Sequence, residues 1–177
     1  MSAADARPSG AADVVVGPDD PLAADVRSLL EEHLAFAQRV TPAQHVHALG
    51  VERLLHPAVT FFGARRHGRL LGVGAIRRID DGHAEVKSMH VAEASRHAGV
   101  GRALVTHFVT LATAQGYGRL SLETGTAEAF APARALYRSV GFEPCPPFGE
   151  YTDNPHSICM TMRLHGPDSE DAQLPPG

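Results

Sequence analysis

Two periodicities divide the chain. Leu22, Val26, Leu29, Leu30, His33, Leu34 and Ala37 recur at three- and four-residue spacing. That spacing predicts an amphipathic helix, opened by the breakers Pro18, Asp19, Asp20 and Pro21. Val14, Val15 and Val16 before it predict a short strand within 13–17. A second helix is expected after Thr41–Pro42, with Thr41 as N-cap and Pro42 at the first helical position, ending before Pro57. The period then becomes two. Residues 59–65 and 69–79 are β-rich and flank His67–Gly68, a hairpin signal. Gly72 and Gly74 inside the second run mark a bulge or a close backbone approach. After the turn Asp80-Asp81-Gly82, residues 83–91 predict a third strand. Alternation there places Glu85, Lys87, Met89 and Val91 on one face, and Val86, Ser88 and His90 on the other.

Leu104, Val105, Phe108, Leu111 and Ala112 then form a helical stripe, with Gly116 suited to C′. A strand is predicted over 119–123. Pro132 lies near the start of another helix, which presents Ala133, Leu136, Tyr137 and Val140 and ends at Gly141. Residues 142–145 begin a strand, Pro144, Pro146, Pro147 and Pro155 bracket an irregular loop, and 157–164 alternate as a last strand. This order predicts one α+β domain over 12–165, a mixed sheet of six to seven strands with helices on both faces. The segment 1–11 is small and polar and 166–177 is rich in proline and acid, so both are expected to be flexible tails.

Composition narrows the function classes. Of 177 residues, 44% are hydrophobic and 20% charged, enough for a sizeable core. The formal charge is −4 with no dense Lys/Arg run, which argues against nucleic acid as the main partner. No apolar run is long enough to span a bilayer, and the N-terminus lacks a signal core, so a cytoplasmic protein is expected. Cys145 and Cys159 form no C-x-x-C and read as free thiols. Among eleven histidines, His45-x-His47 lacks matching ligands nearby, so no metal is expected.

Between the third strand and the next helix stand Arg96, Gly99 and Gly101, in the pattern R-x-x-G-x-G. A strand, a glycine-containing loop and a helix N-terminus make an anion site, because free backbone N–H groups and the helix dipole point the same way. Glycine lets the backbone approach a phosphate closely. Gly101 is followed by Arg102 and Ala103, which excludes a P-loop, and the third glycine of a dinucleotide fingerprint is missing.

The run EVKSMHVAEASRHAGVGRALV resembles the coenzyme A segment of the GCN5-related N-acetyltransferase (GNAT) superfamily, and APARALYRSVGF resembles that superfamily's closing helix and strand. With the SLETG strand the likeness covers roughly Val59 to Leu164; SLETG together with FGEYTDNPHSICM resembles a group of small bacterial acetyltransferases. The resemblance implies the GNAT fold, with the sheet splayed between its fourth and fifth strands, and acetyl transfer from acetyl-CoA to a primary amine. It places pyrophosphate over the backbone N–H groups of His97, Ala98, Gly99, Val100, Gly101, Arg102 and Ala103, with Arg96 adding charge. Met89, His90 and Val91 would pair with the pantetheine arm. Many relatives carry Asn seven residues before the helix tyrosine; Phe130 stands there, and Arg134 is a candidate substitute contact.

An alkyl ammonium with a pKa near 10 is neutral only about one part in a thousand at pH 7, so a base matters. Glu85 is the leading candidate, its spacing from Arg96 being similar to that of a catalytic glutamate in histone acetyltransferases of the superfamily; Glu123 is the rival. Tyr137, in the L-Y-x-x-x-G-F motif, is the candidate acid for the departing thiolate. Lys87 beside the proposed base suggests an acceptor carrying a carboxylate. Glu150 and Asp153 could receive its ammonium, and Tyr151 could pack against it. The expected acceptor is a small amino-acid-like amine; the alternatives are a protein or peptide acceptor, or a non-catalytic acyl-CoA-binding module. A homodimer is compatible with these expectations.

Overall fold

The computed structural model describes residues 13–42 and 50–165. The expected tails, His45, His47 and most of the helix expected after Pro42 lie outside the described residues. The elements are β1 (Val15–Pro18), α1 (Ala24–Val40), α2 (Val51–Leu54), β2 (Val59–Arg66), β3 (Arg69–Arg78), β4 (His83–Val91), α3 (Val100–Ala114), β5 (Arg119–Gly125), α4 (Ala131–Val140), β6 (Glu143–Cys145) and β7 (Ser157–Arg163). They form one seven-stranded sheet in the order β1-β2-β3-β4-β5-β7-β6. Only β4 and β5 are parallel.

At Pro18 the boundary differs from the sequence expectation. Pro18 belongs to β1, opposite Phe62. An edge strand tolerates a residue without an N–H. Thr41 closes α1, its N–H bonding to the Ala37 carbonyl at 2.9 Å; its expected role as the N-cap of the next helix concerns residues outside the described ones.

The sheet separates two apolar layers. Val26, Leu29 and Leu30 of α1 pack with Phe61, Val73 and Ala75 on one face. On the other, Leu104, Val105, Phe108 and Ala112 of α3 and Tyr137 of α4 pack with Phe62, Ile76, Val86, Leu120, Leu122 and Met160. The stripes read from the sequence thus face the sheet, while Leu22 and Leu34 stay largely outside, at 51% and 37% exposure.

Strict alternation fails within β4. Ser88 has φ 50°, and the register with β3 shifts between Val73 and Ala75. A bulge inserts one residue and reverses the side to which the following residues point. Glu85 and Lys87 therefore share the α1 face with His90, which is paired to Val73. Met89 and Val91 pack with the α3 layer instead. The expectation that Met89 and Val91 share a face with Glu85 and Lys87 is corrected accordingly. Gly74 lies in the shifted stretch of β3, where a Cβ would stand 2.8 Å from Phe108 Cζ. Both expectations for this glycine, bulge and close approach, hold.

β4 and β5 are paired only from His83↔Arg119 to Val86↔Leu122. Beyond that register they separate, leaving Lys87 and Glu123 on either side of the opening.

Candidate active site

The opening holds two adjoining cavities. The larger, of about 400 Å³, is lined by Met89, His90 and Val91 of β4, by Arg96, His97, Gly99, Val100, Gly101 and Arg102 of the loop and α3, and by Phe130, Leu136 and Tyr137. The smaller, of about 110 Å³, is lined among others by Lys87, Ser88, Met89, Glu123 and Tyr137. His33, Met89, Phe130, Ala133 and Tyr137 border both.

Gly99 adopts φ 79° just before α3, a left-handed turn that glycine enters without strain. The 15-residue helix α3 that follows directs its free N–H groups and positive dipole end toward the larger cavity. Arg102 reaches back to Ser139 Oγ at 2.8 Å, and Arg96 lies over the Phe36 ring at 6.0 Å. Ala98 and Ala103 are not among the lining residues. Arg134 turns away from the cleft and donates to the carbonyls of Gly125 and Ala127, at 2.7 and 2.9 Å, fastening the end of β5 to α4.

Phe130 fills the space above Gly125, where a Cβ would come within 2.3 Å of its ring. It meets Phe36 edge-on at 5.2 Å. The Nδ1 atoms of His33 and His90 stand 3.3 Å apart. Burial holds both imidazoles neutral, His33 down at about 4 and His90 at about 3. These four rings form an uncharged partition beside the cavities.

The two carboxylates proposed as bases sit differently. Glu85 is wholly buried and borders neither cavity. Its Oε2 accepts from Arg77 Nε at 2.9 Å and lies 2.8 Å from Nη2. Its Oε1 accepts from the Tyr151 hydroxyl, with Lys87 Nζ 3.5 Å away. Glu123 borders the small cavity and is half-buried. Burial raises its pKa to about 6, against the opposing influence of the Lys87 cation and a hydrogen bond from Ser157.

Lys87 Nζ donates to the Tyr151 hydroxyl, and burial lowers the pKa of the amine. Tyr151 thus joins Lys87 to Glu85 from the irregular loop. Phe148 anchors that loop, meeting the His83 ring at a tilt at 5.3 Å and Tyr151 edge-on at 5.1 Å. Glu150 is 80% exposed, 3.6 Å from Arg77, and Asp153 is exposed. Neither borders the small cavity.

Tyr137 lines both cavities, with its hydroxyl 4.0 Å from Met89 Sδ. Burial first, and then the Glu123 charge, raise its pKa to about 12, so the phenol keeps its proton at neutral pH and can donate it. Arg77, Ser88, His33 and Phe36 were not singled out for the site from sequence. His33 carried the signal of a polar residue within an apolar helical stripe; Arg77 is brought to Glu85 by strand register, which no local pattern encodes.

The profile of the acetyltransferase (GNAT) family matches residues 26–142. The chain belongs to the GNAT family. It is 41% identical over 146 residues to the uncharacterized N-acetyltransferase YsnE of Bacillus subtilis (strain 168), covering 82% of this chain and 97% of that one. It is 35% identical over 157 residues to the uncharacterized N-acetyltransferase YedL of Escherichia coli (strain K12), covering 89% and 96%. An IAA acetyltransferase of Azospirillum brasilense is 36% identical over 152 residues, 85% of this chain and 98% of that one. A GNAT family acetyltransferase from Elizabethkingia anophelis, solved with acetyl-CoA bound, shares the fold at a TM-score of 0.63 and 18% identity, covering 86% and 99%. The protein is therefore an acetyltransferase of GNAT architecture. Among its described residues no helix is long and apolar enough to cross a membrane, and no group of three or more His, Cys, Asp or Glu could hold a metal ion.

Proposed function

We propose that this enzyme transfers the acetyl group of acetyl-CoA to the primary amine of a small amino-acid-like acceptor. Glu123, Lys87 and Tyr137 border one small cavity beside the larger cleft; this grouping carries the reading. The α3 N-terminus, with Arg96 and Arg102, holds the pyrophosphate, and the second half of β4 receives the pantetheine arm. Glu123 takes the proton of the incoming ammonium, since its pKa of about 6 leaves it ionised at neutral pH yet basic enough to accept. The amine nitrogen forms its bond to the acetyl carbon, the carbon–sulfur bond breaks, Tyr137 protonates the departing thiolate, and the second proton that the nitrogen sheds as the amide forms restores the Tyr137 phenol. Glu85 is an anchor in this scheme: locked to Arg77 and Tyr151, it sets the position of Lys87.

The acceptor class follows from charge. Arg77 faces the carboxylates of Glu85 and Glu150 and Lys87 faces that of Glu85, so the cavity presents the Lys87 cation beside the negative Glu123. An acceptor with an ammonium for Glu123 and a carboxylate for Lys87 complements both. The test measures free coenzyme A release with amino acids beside their decarboxylated amines, in the wild type and in Lys87→Met. Amino acids should react better with the wild type, and the preference should vanish in the variant. Equal rates for both acceptor classes in both proteins would overturn the acceptor assignment.

A further inference from the structure

Lys87 is the single lysine among the sixteen Lys and Arg residues of the sequence. The rest are arginines, whose guanidinium groups stay protonated and are no nucleophiles at neutral pH. The one side-chain amine of the chain therefore stands where the proposed reaction brings its amine acceptor. Lys87 lines the small cavity with Glu123 and Tyr137, and that cavity shares Met89, Phe130 and Tyr137 with the larger cleft. The Nζ atom donates to the Tyr151 hydroxyl and lies 3.5 Å from Glu85 Oε1, so the amine is held in one place. Burial lowers its pKa, with Arg77 adding to the effect and the Glu85 and Glu123 charges opposing it, and this enlarges the neutral, nucleophilic fraction. An amine fixed beside a bound thioester reacts as if at a concentration far above that of a free amine. An arginine would hold a carboxylate as well or better; a lysine adds a nitrogen that can shed its proton and attack.

We propose that Lys87 is a self-acetylation site: with acetyl-CoA bound and the acceptor absent, its Nζ takes the acetyl group and the enzyme is switched off. This inference rests on the acetyl-transfer reading. The Lys87 ammonium gives a proton to Glu123, and the freed nitrogen bonds to the acetyl carbon. The carbon–sulfur bond breaks, Tyr137 protonates the thiolate, and the second proton shed by the nitrogen restores the phenol. The product is an amide, which passes its acetyl group to no second amine, so the modified enzyme is an end state and not a relay. It is also uncharged, so the cavity loses the cation proposed to hold the acceptor's carboxylate. The added group takes up room in a cavity of only about 110 Å³. A bound acceptor occupies that same room and protects Lys87. The enzyme thus stays active while acceptor is plentiful and retires when donor alone is present.

The test incubates the wild type with acetyl-CoA and no amine, and follows the intact protein by mass spectrometry. The protein should gain the mass of a single acetyl group, located at Lys87 by peptide fragmentation, with an equal amount of coenzyme A released. Activity toward an accepted amine should fall in step with the acetylated fraction. The same amine, present from the start, should prevent both changes. Lys87→Arg, which keeps the cation, should gain no acetyl group, and Tyr137→Phe should gain it more slowly than the wild type. A wild type that releases coenzyme A with an added amine, yet keeps its mass when incubated without one, would overturn the proposal. So would an acetyl group found at the N-terminus alone, or one gained as fast by the urea-unfolded chain. A wild type that binds no acetyl-CoA and releases no coenzyme A with any amine would instead overturn the acetyl-transfer reading.

Discussion

Replacing Glu123 by Gln separates the base from everything else in the site. The substitution keeps the shape and the hydrogen-bonding edge facing Ser157, and removes only the charge and the basicity. With its pKa at about 6, the wild-type carboxyl is about nine-tenths ionised at pH 7 and about one-tenth at pH 5. The kcat/KM of the wild type should therefore climb about tenfold per pH unit below 6 and flatten above 7. The Gln variant can use only amine that has already lost its proton, about one part in a thousand at pH 7 and about one-tenth at pH 9. The ratio of wild type to variant should fall from about a thousand at pH 7 to about ten at pH 9. Thiol release measured across pH 5–9 with one accepted amine gives both curves. The same replacement has a stability signature. A folded-state pKa above the ordinary value of 4.5 means that the folded protein holds this proton more tightly. Stability linked to the group is thus complete below pH 4.5 and is lost as pH rises through about 6, to a total of about 2 kcal/mol. Glu123→Gln should melt higher than the wild type at pH 7.5, and the advantage should vanish at pH 4. An inflection near pH 6 that survives in the variant, or a ratio constant from pH 7 to 9, would refute the base assignment.

Gly101→Asp should leave a folded protein, since an acid in the first turn suits the α3 dipole, yet repel the pyrophosphate. The stabilisation of about 2.7 kcal/mol expected of the wild type at a hundred times the dissociation constant for acetyl-CoA should be absent in a thermal-shift titration. Gly74→Ala drives a methyl to 2.8 Å from Phe108 Cζ, and such overpacking should cost about 1–3 kcal/mol in urea unfolding.

Much of this architecture was readable from local pattern. The α1 and α3 stripes, the hairpin at His67–Gly68, the helix end at Gly116 with φ 81° and the strand 83–91 all rest on short-range chemistry. The glycine turn into α3 was readable too, because R-x-x-G-x-G needs only its own glycines and the helix behind it. The reading strained where distant segments meet. From sequence Glu85 is the leading base beside Lys87, but strand register sets Arg77 opposite it and a loop 66 residues further on delivers Tyr151. The inward turn of Tyr151 is likewise set at a distance, while Glu150 and Asp153 of the same loop stay exposed, Glu150 3.6 Å from Arg77. The reversal at Ser88 was hidden for a similar reason. Gly74 hinted at an irregularity, but the extra residue falls on the facing strand β4, which the pairing of the two strands reveals and β3 alone does not.

That one-residue reversal makes β4 a strand with two careers. In the proposed scheme its first half faces the incoming amine and its second half the donor's arm, with Met89 bordering both cavities. In that scheme substitutions at Lys87, or at Glu85 that anchors it, alter what is acetylated more than how the donor is held. Changes at His90 and Val91 do the converse. A lineage can therefore drift toward new acceptors while its donor stays the same, provided that the count of residues across the bulge is kept. Deleting one residue there would be worse than any point change, because it would turn the donor half of the strand inside out.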